Sequence, residues 1–566
     1  MKIMRHVFLF FLFTISFTML FGQTQRLVLI EEATNASCGP CAAQNPAFDL
    51  LLNQNRDKLT AIKYHWYFPG YDPMHNHNTV ENLARVAYYG INGVPTAMID
   101  GVIENRSGFG YPGSPAGYNQ TIINEYAAVT SPFEIDMYHR LSVNEDSIFV
   151  TMRIRAAEAV SGSFKAQIVV IEKNINFATP PGSNGEKNFS DVMKKMLPDH
   201  LGTNLPNSWQ SSDYMIITQS WKLQNIYNMD ELGVVGFIQN TINKSIKQAA
   251  NSSTEMFAPY YDTDASLTKI SNLSETNCMG KIIPKVVLAN FGQNPLTSVD
   301  IIYHVNGQNP ENYTWTGNLT YLASEQITLP EISFSVNAAN EAVVYLSNPN
   351  GTVDQFLQND TISKTFNAAV VTPNAVKLML KLDTNPQETT WEITNSAGSI
   401  LFSGGPYTQS GALIQETFVF EESDCHIFTI HDSGNNGLAI PGFFALFYGG
   451  NIQIISGTSF GSMAFSQFDV DATVAVEEFE KPVEISVYPN PVINQGFVSF
   501  SLLESKSVTI EIFNSVGQLI NKTDKGMMNP GIYDFELATK GLDKGVYFVK
   551  VNIGQDQITE KFTVIN

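Results

Sequence analysis

The chain has 566 residues, of which 43% are hydrophobic and 15% charged, and this composition indicates a folded protein rather than a disordered one. Its 33 basic and 54 acidic side chains give a formal net charge of −21, which argues against a nucleic-acid partner because such binding depends on Lys and Arg contacts to phosphates. Four cysteines are too few for a scaffold built on disulfides, and the length allows about three to five domains.

Residues 1–22 predict a secretory signal peptide. Lys2 and Arg5 precede an apolar run from Val7 to Leu20, and this run is shorter than the roughly 20 apolar residues that a transmembrane helix needs. An uncleaved membrane anchor is the alternative interpretation. Secretion would place the mature chain in an oxidising environment, where cysteine side chains form disulfides.

Residues 24–130 alternate between strand-like and helical patterns. The strand-like segments are 26–32, 59–65 and 97–99. The apolar residues expected to share a helical face are Phe48, Leu51 and Leu52 in the first helix and Val80, Leu83, Ala84 and Ala87 in the second. Strands that alternate with helices indicate an α/β domain with some parallel strand pairing.

From about residue 130 the pattern changes to alternating runs separated by Gly, Asn, Ser and Pro, which predicts β-sandwich modules. The expected modules are a β-rich region at 131–260, an Ig-like sandwich at 283–368, a further β-sandwich at 372–470, a linker at 471–482 and a compact β module at 483–566. The second of these resembles adhesion-type modules of bacterial surface proteins, and the third resembles the sandwiches appended to secreted bacterial peptidases. We therefore expect a multi-domain protein that is α/β at its N-terminus and β-rich beyond it.

Residues 38–41 read Cys-Gly-Pro-Cys and lie between a predicted strand and a predicted helix. At a helix N-terminus, unpaired N–H groups and the positive end of the helix dipole stabilise a thiolate. We therefore expect Cys38 to be an exposed, attacking thiol and Cys41, one turn further along, to be the resolving thiol. The alternative is a static disulfide, or a vestigial pair on a scaffold domain.

Two further residues fit this redox chemistry. Glu32 lies at the end of the predicted strand that precedes the motif, and a carboxylate buried there would relay the proton of the resolving thiol. Pro95 lies in a Gly-Val-Pro-Thr segment before another predicted strand. A cis proline at this position would set a backbone edge beside the disulfide.

These features give residues 24–130 a resemblance to the thioredoxin fold, in which Cys38 and Cys41 match the redox motif and Pro95 matches the cis proline. The resemblance implies a thiol–disulfide exchange site. Ser37 stands where thioredoxins usually carry Trp, and Glu32 replaces the more usual Asp. Both departures weaken the expectation of a general disulfide reductase.

A second resemblance covers residues 24–260. The stretches 28–41, 64–73 and 87–96, together with Gly-Glu-Lys at 185–187 and Met-Lys-Lys-Met-Leu-Pro at 193–198, resemble the Omp-twenty-eight outer-membrane protein family of Bacteroidetes. This resemblance implies an exported or surface protein whose biochemical role is poorly defined.

The module at 483–566 combines alternating strands with Tyr-Pro-Asn-Pro at 488–491 and Lys-Gly-Val-Tyr at 544–547. It resembles the type A C-terminal sorting domain of the type IX secretion system, whereas an ordinary Ig-like terminal domain is the alternative. The resemblance implies passage through the periplasm and across the outer membrane, and removal of this domain by a sorting protease. The secretion machinery and that protease are therefore expected partners, and the outer-membrane surface or the extracellular medium is the expected location.

Two weaker signals remain open. Asp432, Asn435 and Asn436 predict a plain Asn/Gly turn, so that we expect no cofactor; the alternative is a Ca²⁺ site, because these residues offer oxygen atoms of the kind that Ca²⁺ binds. Cys278 and Cys425 either pair across modules or stay free, and their spacing does not decide between these outcomes.

His75 and His77 follow Asp72 closely, but no third ligand has a spacing typical of a metal site. We therefore expect a solvated loop next to the redox motif rather than a metal centre.

Two functional hypotheses follow. In the first, the protein is an exported thiol–disulfide oxidoreductase that acts on a protein thiol or disulfide. In the second, it is a non-enzymatic surface adhesion or binding protein in which the thioredoxin-like domain is only a scaffold and the β modules hold a surface ligand. A hydrolase accessory protein is a third option, suggested only by the module at 372–470.

Overall fold

A computed structural model describes residues 24–439, 441–449, 452–473, 485–492, 495–502, 505–529, 531–554 and 556–565. The signal peptide expected at 1–22 and most of the linker expected at 471–482 lie outside these residues. The chain divides into two compact units, one ending at Tyr260 and the other beginning at Tyr261. Within the described ranges, no helix combines the length and the apolar character needed to cross a membrane.

The first unit begins with alternating strands and helices and continues with strands. Its first elements are β1 (Thr24–Gln25), β2 (Val28–Thr34), α1 (Gly39–Asn53), β3 (Leu59–His65), α2 (Pro73–His77), α3 (Thr79–Tyr89), β4 (Thr96–Ile99) and α4 (Gln120–Ala127). Its later elements are β5 (Thr130–Ser131), β6 (Phe133–Leu141), β7 (Ser147–Ala156), β8 (Val160–Ser161), β9 (Phe164–Asn176), β10 (Asn188–Leu197), β11 (Thr203–Asn204), β12 (Ser208–Trp209), β13 (Tyr214–Lys222), β14 (Leu232–Asn240) and β15 (Ile246–Asn251).

One continuous sheet, in the order β15-β14-β9-β10-β3-β2-β4, runs through the first unit. Strands β2 and β3 are parallel, with Val28 opposite Leu59, and β4 is antiparallel to β2. Strand β10 joins the other side of β3 in parallel, with Val192 opposite Lys63. The expected parallel pairing is confirmed, and the same sheet includes strands from both 24–130 and 131–260.

The centre of this sheet is covered on both faces. Every residue of β2, β3 and β4 is buried. Phe48 and Leu52 of α1 and Ile123 of α4 share one core with these strands. Other side chains of β2 and β3 share a second core with α3, β9 and β14. Strands enclosed in this way hold the segments that follow them, including the Cys-Gly-Pro-Cys motif, in fixed positions.

The prediction that the buried face of α3 is formed by Val80, Leu83, Ala84 and Ala87 is wrong. Val80 and Leu83 are 66% and 38% exposed, whereas the polar residues Glu81, Asn82 and Arg85 are buried. The reason is that each of these polar side chains has a partner outside the helix, so that the buried face of α3 is polar at these positions.

The partners of this polar face come from neighbouring strands. The Glu81 carboxylate accepts a hydrogen bond from the backbone N–H of Met196 at 2.6 Å. Arg85 forms an ion pair with Glu31 of β2, Nη2 to Oε1 at 2.5 Å, and donates to Gln239 of β14 at 3.1 Å. A buried charge is tolerated only when it is paired and hydrogen-bonded, and these contacts meet that condition.

The second unit consists of strands and short 3₁₀ turns in its described residues. It contains β16 (Ala265–Ser271), β17 (Thr276–Asn277), β18 (Lys281–Ile282), β19 (Lys285–Asn290), β20 (Leu296–Val305), β21 (Gln308–Leu319), β22 (Ser324–Thr328), β23 (Ile332–Ser333), β24 (Ala339–Ser347) and β25 (Thr361–Ala368). These are followed by β26 (Val371–Thr372), β27 (Ala375–Lys381), β28 (Thr389–Thr394), β29 (Ile400–Gly404), β30 (Leu413–Val419), β31 (Asp424–Asp432), β32 (Phe443–Tyr448), β33 (Ile452–Gly457) and β34 (Met463–Val470). The last strands are β35 (Ile485–Tyr488), β36 (Gly496–Leu502), β37 (Lys506–Asn514), β38 (Leu519–Met528), β39 (Gly531–Leu537), β40 (Gly545–Ile553) and β41 (Asp556–Val564).

Apart from β18 and β23, which form a small sheet of their own, these strands form three successive pairs of sheets, each pair around its own core. The first pair is β16-β19-β22 with β17-β25-β24-β20-β21, and the second is β26-β34-β31-β28-β29 with β30-β27-β32-β33. The third pair is β35-β36-β39 with β38-β37-β40-β41. The predicted β-rich, multi-domain architecture is confirmed at this level.

A disulfide between Cys278 and Cys425 joins the first of these sheet pairs to the second. Gln467 of β34 lies beside it, and its side-chain oxygen accepts a hydrogen bond from the backbone N–H of Cys278 at 3.0 Å. Cys278 and Cys425 therefore pair across modules, which is one of the two outcomes that their spacing in the sequence left open.

Candidate functional site

The Cys-Gly-Pro-Cys motif forms the start of α1, directly after β2. Cys38 is the N-cap residue of the helix, and its Sγ accepts a hydrogen bond from the backbone N–H of Cys41 at 3.0 Å. The two cysteines form a disulfide with a Cα–Cα distance of 5.2 Å. The Val94–Pro95 peptide bond is cis, which confirms the expected cis proline. A sulfur atom held at a helix N-terminus is the arrangement that favours the thiolate form.

A buried acid–base group lies on the strands behind this motif. Glu32 of β2 is fully buried and forms an ion pair with Lys63 of β3, Oε2 to Nζ at 3.0 Å. Lys63 also pairs with Asp49 of α1. Burial raises the pKa of Glu32 to about 7, although the Lys63 ammonium opposes this shift. Glu32 therefore changes its protonation state near neutral pH, as a proton relay requires.

The segment between β9 and β10 covers the redox motif, and we call residues 178–187 the strap. The Asn184 side-chain amide donates hydrogen bonds to the carbonyl oxygens of Cys38 at 3.1 Å and Asn35 at 3.4 Å. The Asn184 backbone N–H donates to the Ala36 carbonyl at 3.3 Å. Glu186 accepts a hydrogen bond from Asn45 of α1 at 3.0 Å. The strap is therefore fastened to the residues around the first cysteine.

Ser37 connects the strap to a second loop on the other side. Its Oγ accepts a hydrogen bond from the Ser183 backbone N–H at 3.0 Å and donates one to the Tyr71 carbonyl at 2.7 Å. A Cβ atom on Gly182 would lie 2.8 Å from the Ser37 Oγ. The strap thus occupies space next to position 37, which gives a physical reason for a small residue there.

The expectation that Cys38 is exposed is wrong. Its residue is 1% exposed, and Cys41 is fully buried. The strap and the loop that contains Tyr71 both contact the residue before Cys38, and this enclosure accounts for its burial. In the described state, a partner molecule has almost no access to either sulfur atom.

The segment 72–77 is also different from the solvated loop that we expected. Asp72 caps a short helix, α2, by accepting hydrogen bonds from the N–H groups of Met74 and His75. The other Asp72 oxygen contacts the Nδ1 of buried His65 at 2.7 Å, and this partner holds the pKa of Asp72 below its usual range despite burial. His75 is buried against β3, where its Nδ1 lies 2.9 Å from the His65 carbonyl oxygen.

His77, at the end of α2, is half-buried beside strand residues of the first unit. Its Nδ1 lies 3.4 Å from the Lys194 Nζ, and its Nε2 lies 3.4 Å from the Tyr227 hydroxyl. Burial, together with the Lys194 charge, lowers the pKa of His77 to about 4. His77 is therefore neutral at physiological pH.

The proposed Ca²⁺ loop in the second unit uses its own carboxylate internally. One Asp432 oxygen accepts hydrogen bonds from the N–H groups of Asn436 at 2.9 Å and Gly437 at 3.0 Å. Asn435 adopts a left-handed conformation with φ of 61°, as in a turn. Across the described ranges, no group of three or more His, Cys, Asp and Glu side chains is arranged to hold a metal ion.

Of the residues that the sequence suggested for this site, the fold brings Cys38, Cys41 and Glu32 to adjoining ends of β2 and α1. The segment of Pro95 lies beside them, since the Val94 carbonyl oxygen is 3.5 Å from the Cys38 Sγ. Sequence reasoning missed Lys63, although a lysine inside a strand that is otherwise uncharged is a signal that could have been used. It also missed the strap, whose contacts with the motif span about 150 positions and leave no local pattern.

Comparison with known proteins identifies the C-terminal part of the chain. Residues 486–565 match the family model of the secretion system C-terminal sorting domain. No curated protein matches the sequence. The match confirms the sorting domain expected for the end of the chain, and it covers only this part of the protein.

Several solved structures share features with the described protein at low similarity. HBP35 of Porphyromonas gingivalis is 14% identical with a TM-score of 0.34, and the match covers 61% of this chain and 99% of that one. A protein from Agrobacterium tumefaciens is 13% identical with a TM-score of 0.27 and covers 42% of this chain and 100% of its own. The BSP domain of a biofilm-associated protein is 10% identical with a TM-score of 0.19, and the match covers 77% of this chain and 96% of that one. TM-scores below 0.5 do not establish a shared fold.

The sorting domain determines the destination of the protein. A domain of this kind is recognised by the type IX secretion machinery, which is therefore a partner of this chain. The protein is exported through the periplasm to the outer-membrane surface or the extracellular medium.

Proposed function

We propose that this exported protein is a thiol–disulfide oxidoreductase whose thioredoxin-like N-terminal domain carries Cys38 and Cys41 as its redox pair. The observation that carries the proposal is the hydrogen bond from the Cys41 N–H to the Cys38 Sγ at the N-terminus of α1, because this position favours a Cys38 thiolate. The oxidising environment outside the cytoplasm allows such a pair to exchange with disulfides of other exported proteins.

In the reduced protein, the Cys38 thiolate attacks one sulfur of a partner disulfide, and the other partner sulfur leaves as a thiolate. Cys41 then loses its proton and attacks the Cys38 sulfur, which releases the second partner thiolate and forms the Cys38–Cys41 disulfide. Two electrons pass from the protein to the partner, and the reverse sequence oxidises a partner dithiol. The exchange needs no cofactor, since the electrons move between sulfur atoms.

Glu32 is the proposed acceptor of the Cys41 proton. Its pKa of about 7, which burial raises, makes it a base that is matched to neutral pH. Lys63 is a positioning residue, because its ion pairs with Glu32 and Asp49 hold the carboxylate behind the motif. Pro95 shapes the edge of the site, where the Tyr111 hydroxyl donates to its carbonyl at 2.9 Å.

The proposed substrate class is a protein thiol or disulfide at the cell surface. The resemblance of residues 24–260 to the Omp-twenty-eight family is consistent with an exported protein of this kind. Insulin-disulfide turnover by the full chain tests the proposal directly. Turnover that is lost in Cys38→Ser, but kept in a control with both Cys278→Ser and Cys425→Ser, is the expected result.

A non-enzymatic adhesion or binding protein is the second candidate, and the burial of Cys38 favours it. In this alternative the disulfide only stabilises the scaffold, and the first two sheet pairs of the second unit hold a protein or glycan ligand. Surface binding that survives Cys38→Ser, with no insulin turnover by the unmodified chain, would support this second function against the first.

A further inference from the structure

The strap is attached by polar contacts rather than by an apolar core. The strap residues that are exposed are Ala178, Thr179, Pro180, Ser183, Gly185 and Lys187. Its fastening to the motif consists of hydrogen bonds made by Ser183, Asn184 and Glu186. A segment with few buried apolar contacts opens at a lower free energy than the core of its domain.

The groups that the strap binds are backbone acceptors around the first cysteine. Asn184 alone donates to the carbonyl oxygens of Asn35, Ala36 and Cys38. Residues 35–38 form a turn, in which the carbonyls of Asn35 and Cys38 also accept hydrogen bonds from the N–H groups of Cys38 at 3.1 Å and Ala42 at 3.2 Å. Backbone carbonyls are groups that an incoming polypeptide main chain uses for recognition. Removal of the strap would free the Ala36 carbonyl and would take one donor from each of the Asn35 and Cys38 carbonyls, next to the sulfur that attacks a partner.

Gly182 shows how closely the strap backbone approaches this surface. A Cβ atom on Gly182 would lie 2.1 Å from the Ala36 carbonyl oxygen, so that no other residue fits without a shift of the backbone. The strap therefore lies against the 35–38 backbone at a distance that a polypeptide main chain, rather than a side chain, occupies.

We propose that the strap is an internal substitute for an extended, cysteine-bearing polypeptide, and that such a polypeptide displaces it to reach the Cys38–Cys41 pair. The inference rests on the proposed function, because the exchange chemistry is the one given above. A strap that can be displaced explains how Cys38 is both buried and part of a redox pair. The site is closed in the resting protein and is opened by its substrate.

The first test measures access to the disulfide with a small phosphine in excess, on the full chain. Asn184→Ala removes the side-chain donor and is expected to speed reduction of Cys38–Cys41 about fivefold. Gly182→Ala pushes the strap from Ala36 and is expected to act in the same direction. Asn188→Ala, an exposed residue at the start of β10, is the matched control and is expected to leave the rate unchanged.

The second test measures displacement without any redox step. Insulin B chain with alkylated thiols is added in excess, and hydrogen exchange is followed at the Ser183 and Asn184 amides. Faster exchange at these amides is the expected result. Unchanged phosphine rates in both strap variants, or strap amides that stay protected with the alkylated chain, would overturn the inference.

The two tests separate this inference from the function on which it rests. Insulin turnover by the unmodified chain, combined with unchanged phosphine rates in the strap variants or with strap amides that stay protected, would reject the strap inference alone. Strap opening as expected, combined with no insulin turnover in any variant, would reject the oxidoreductase function and leave the strap as a cover for a polypeptide-binding edge.

Discussion

Asn184 and Cys38 lie 146 positions apart, yet the Asn184 side-chain amide donates a hydrogen bond to the Cys38 carbonyl oxygen at 3.1 Å. This contact joins the segment between β9 and β10 to the N-terminus of α1. The surroundings of the Cys-Gly-Pro-Cys motif are therefore built from both halves of the first unit.

Glu32→Gln should change the pH dependence of disulfide exchange. Because burial raises the pKa of Glu32 to about 7, only above that pH is it a carboxylate that accepts the Cys41 proton. Turnover by the unmodified chain should therefore rise with pH through about 7. In Glu32→Gln this rise should disappear, with a loss at pH 8 of about 100-fold, the lower end of the range for general-base catalysis.

Glu32→Asp is the matched control for this prediction, because it keeps a carboxylate and should keep a pH-dependent rise. Steady-state insulin turnover between pH 5 and 9 provides the measurement. The same pH profile in Glu32→Gln and in the unmodified chain would contradict the assigned role.

The second unit should lose stability as the pH rises through the neutral range. Burial raises the pKa of Asp264 to about 7 and that of Asp360 to about 8, and repulsion from Asp354 adds to both shifts. Since the folded state holds these protons to a higher pH than the unfolded chain does, stability is highest at low pH and falls from about pH 4 towards pH 8.

Asp360→Asn should therefore raise the thermal midpoint of the second unit at pH 8 and change it little at pH 5. Asp262→Asn, at an exposed position two residues before Asp264, is the control and should have a small effect at both pH values. Calorimetry at the two pH values measures this difference. An equal shift at pH 5 and pH 8 would show that proton uptake is not the cause.

The Cys278–Cys425 disulfide should stabilise the second unit by restricting its unfolded chain. The two cysteines are separated by 147 positions, and closing a loop of that length is worth about 5 kcal/mol in the chain-entropy account. Replacing both cysteines by Ser should lower the free energy of unfolding of this unit by that amount in denaturant titrations. The double replacement of Cys38 and Cys41 should leave it unaltered, and a loss below about 1 kcal/mol in the first variant would contradict the prediction.

Removal of residues 486–565 should block export. The family match places the sorting signal in this range, so the truncated chain should accumulate in the periplasm of the producing cell. Fractionation and immunoblotting measure its location, with the Cys38→Ser full chain as the control that should still reach the surface. Truncated protein in the extracellular medium would show that the signal lies elsewhere.

The sequence predicted the local elements of the site well. The strand at 59–65 was predicted at its observed bounds, and the Cys-Gly-Pro-Cys motif was correctly placed at a helix N-terminus, because both depend on short-range patterns. The cis bond before Pro95 was expected from a family resemblance rather than from the neighbouring residues, and it is present. For the strand and the motif, the information lies within a few residues of the feature.

The features that depend on distant partners were not predicted. The buried face of α3 is polar because Arg85 reaches Glu31 and Gln239, which lie 54 and 154 positions away. The burial of Cys38 depends on Asn184 and its neighbours in the strap, whose Pro-Pro-Gly-Ser composition is that of any surface turn. Neither arrangement can be derived from periodicity or spacing, because tertiary pairing decides it.

The reduction potential of the Cys38–Cys41 pair tests the central proposal most directly. It is measured by glutathione titration of the full chain carrying Cys278→Ser and Cys425→Ser, so that only one disulfide titrates. A potential between about −300 and −120 mV, the range of exchange-active pairs, is the expected result. A potential below about −300 mV, as for structural disulfides, with no insulin turnover would contradict the oxidoreductase function.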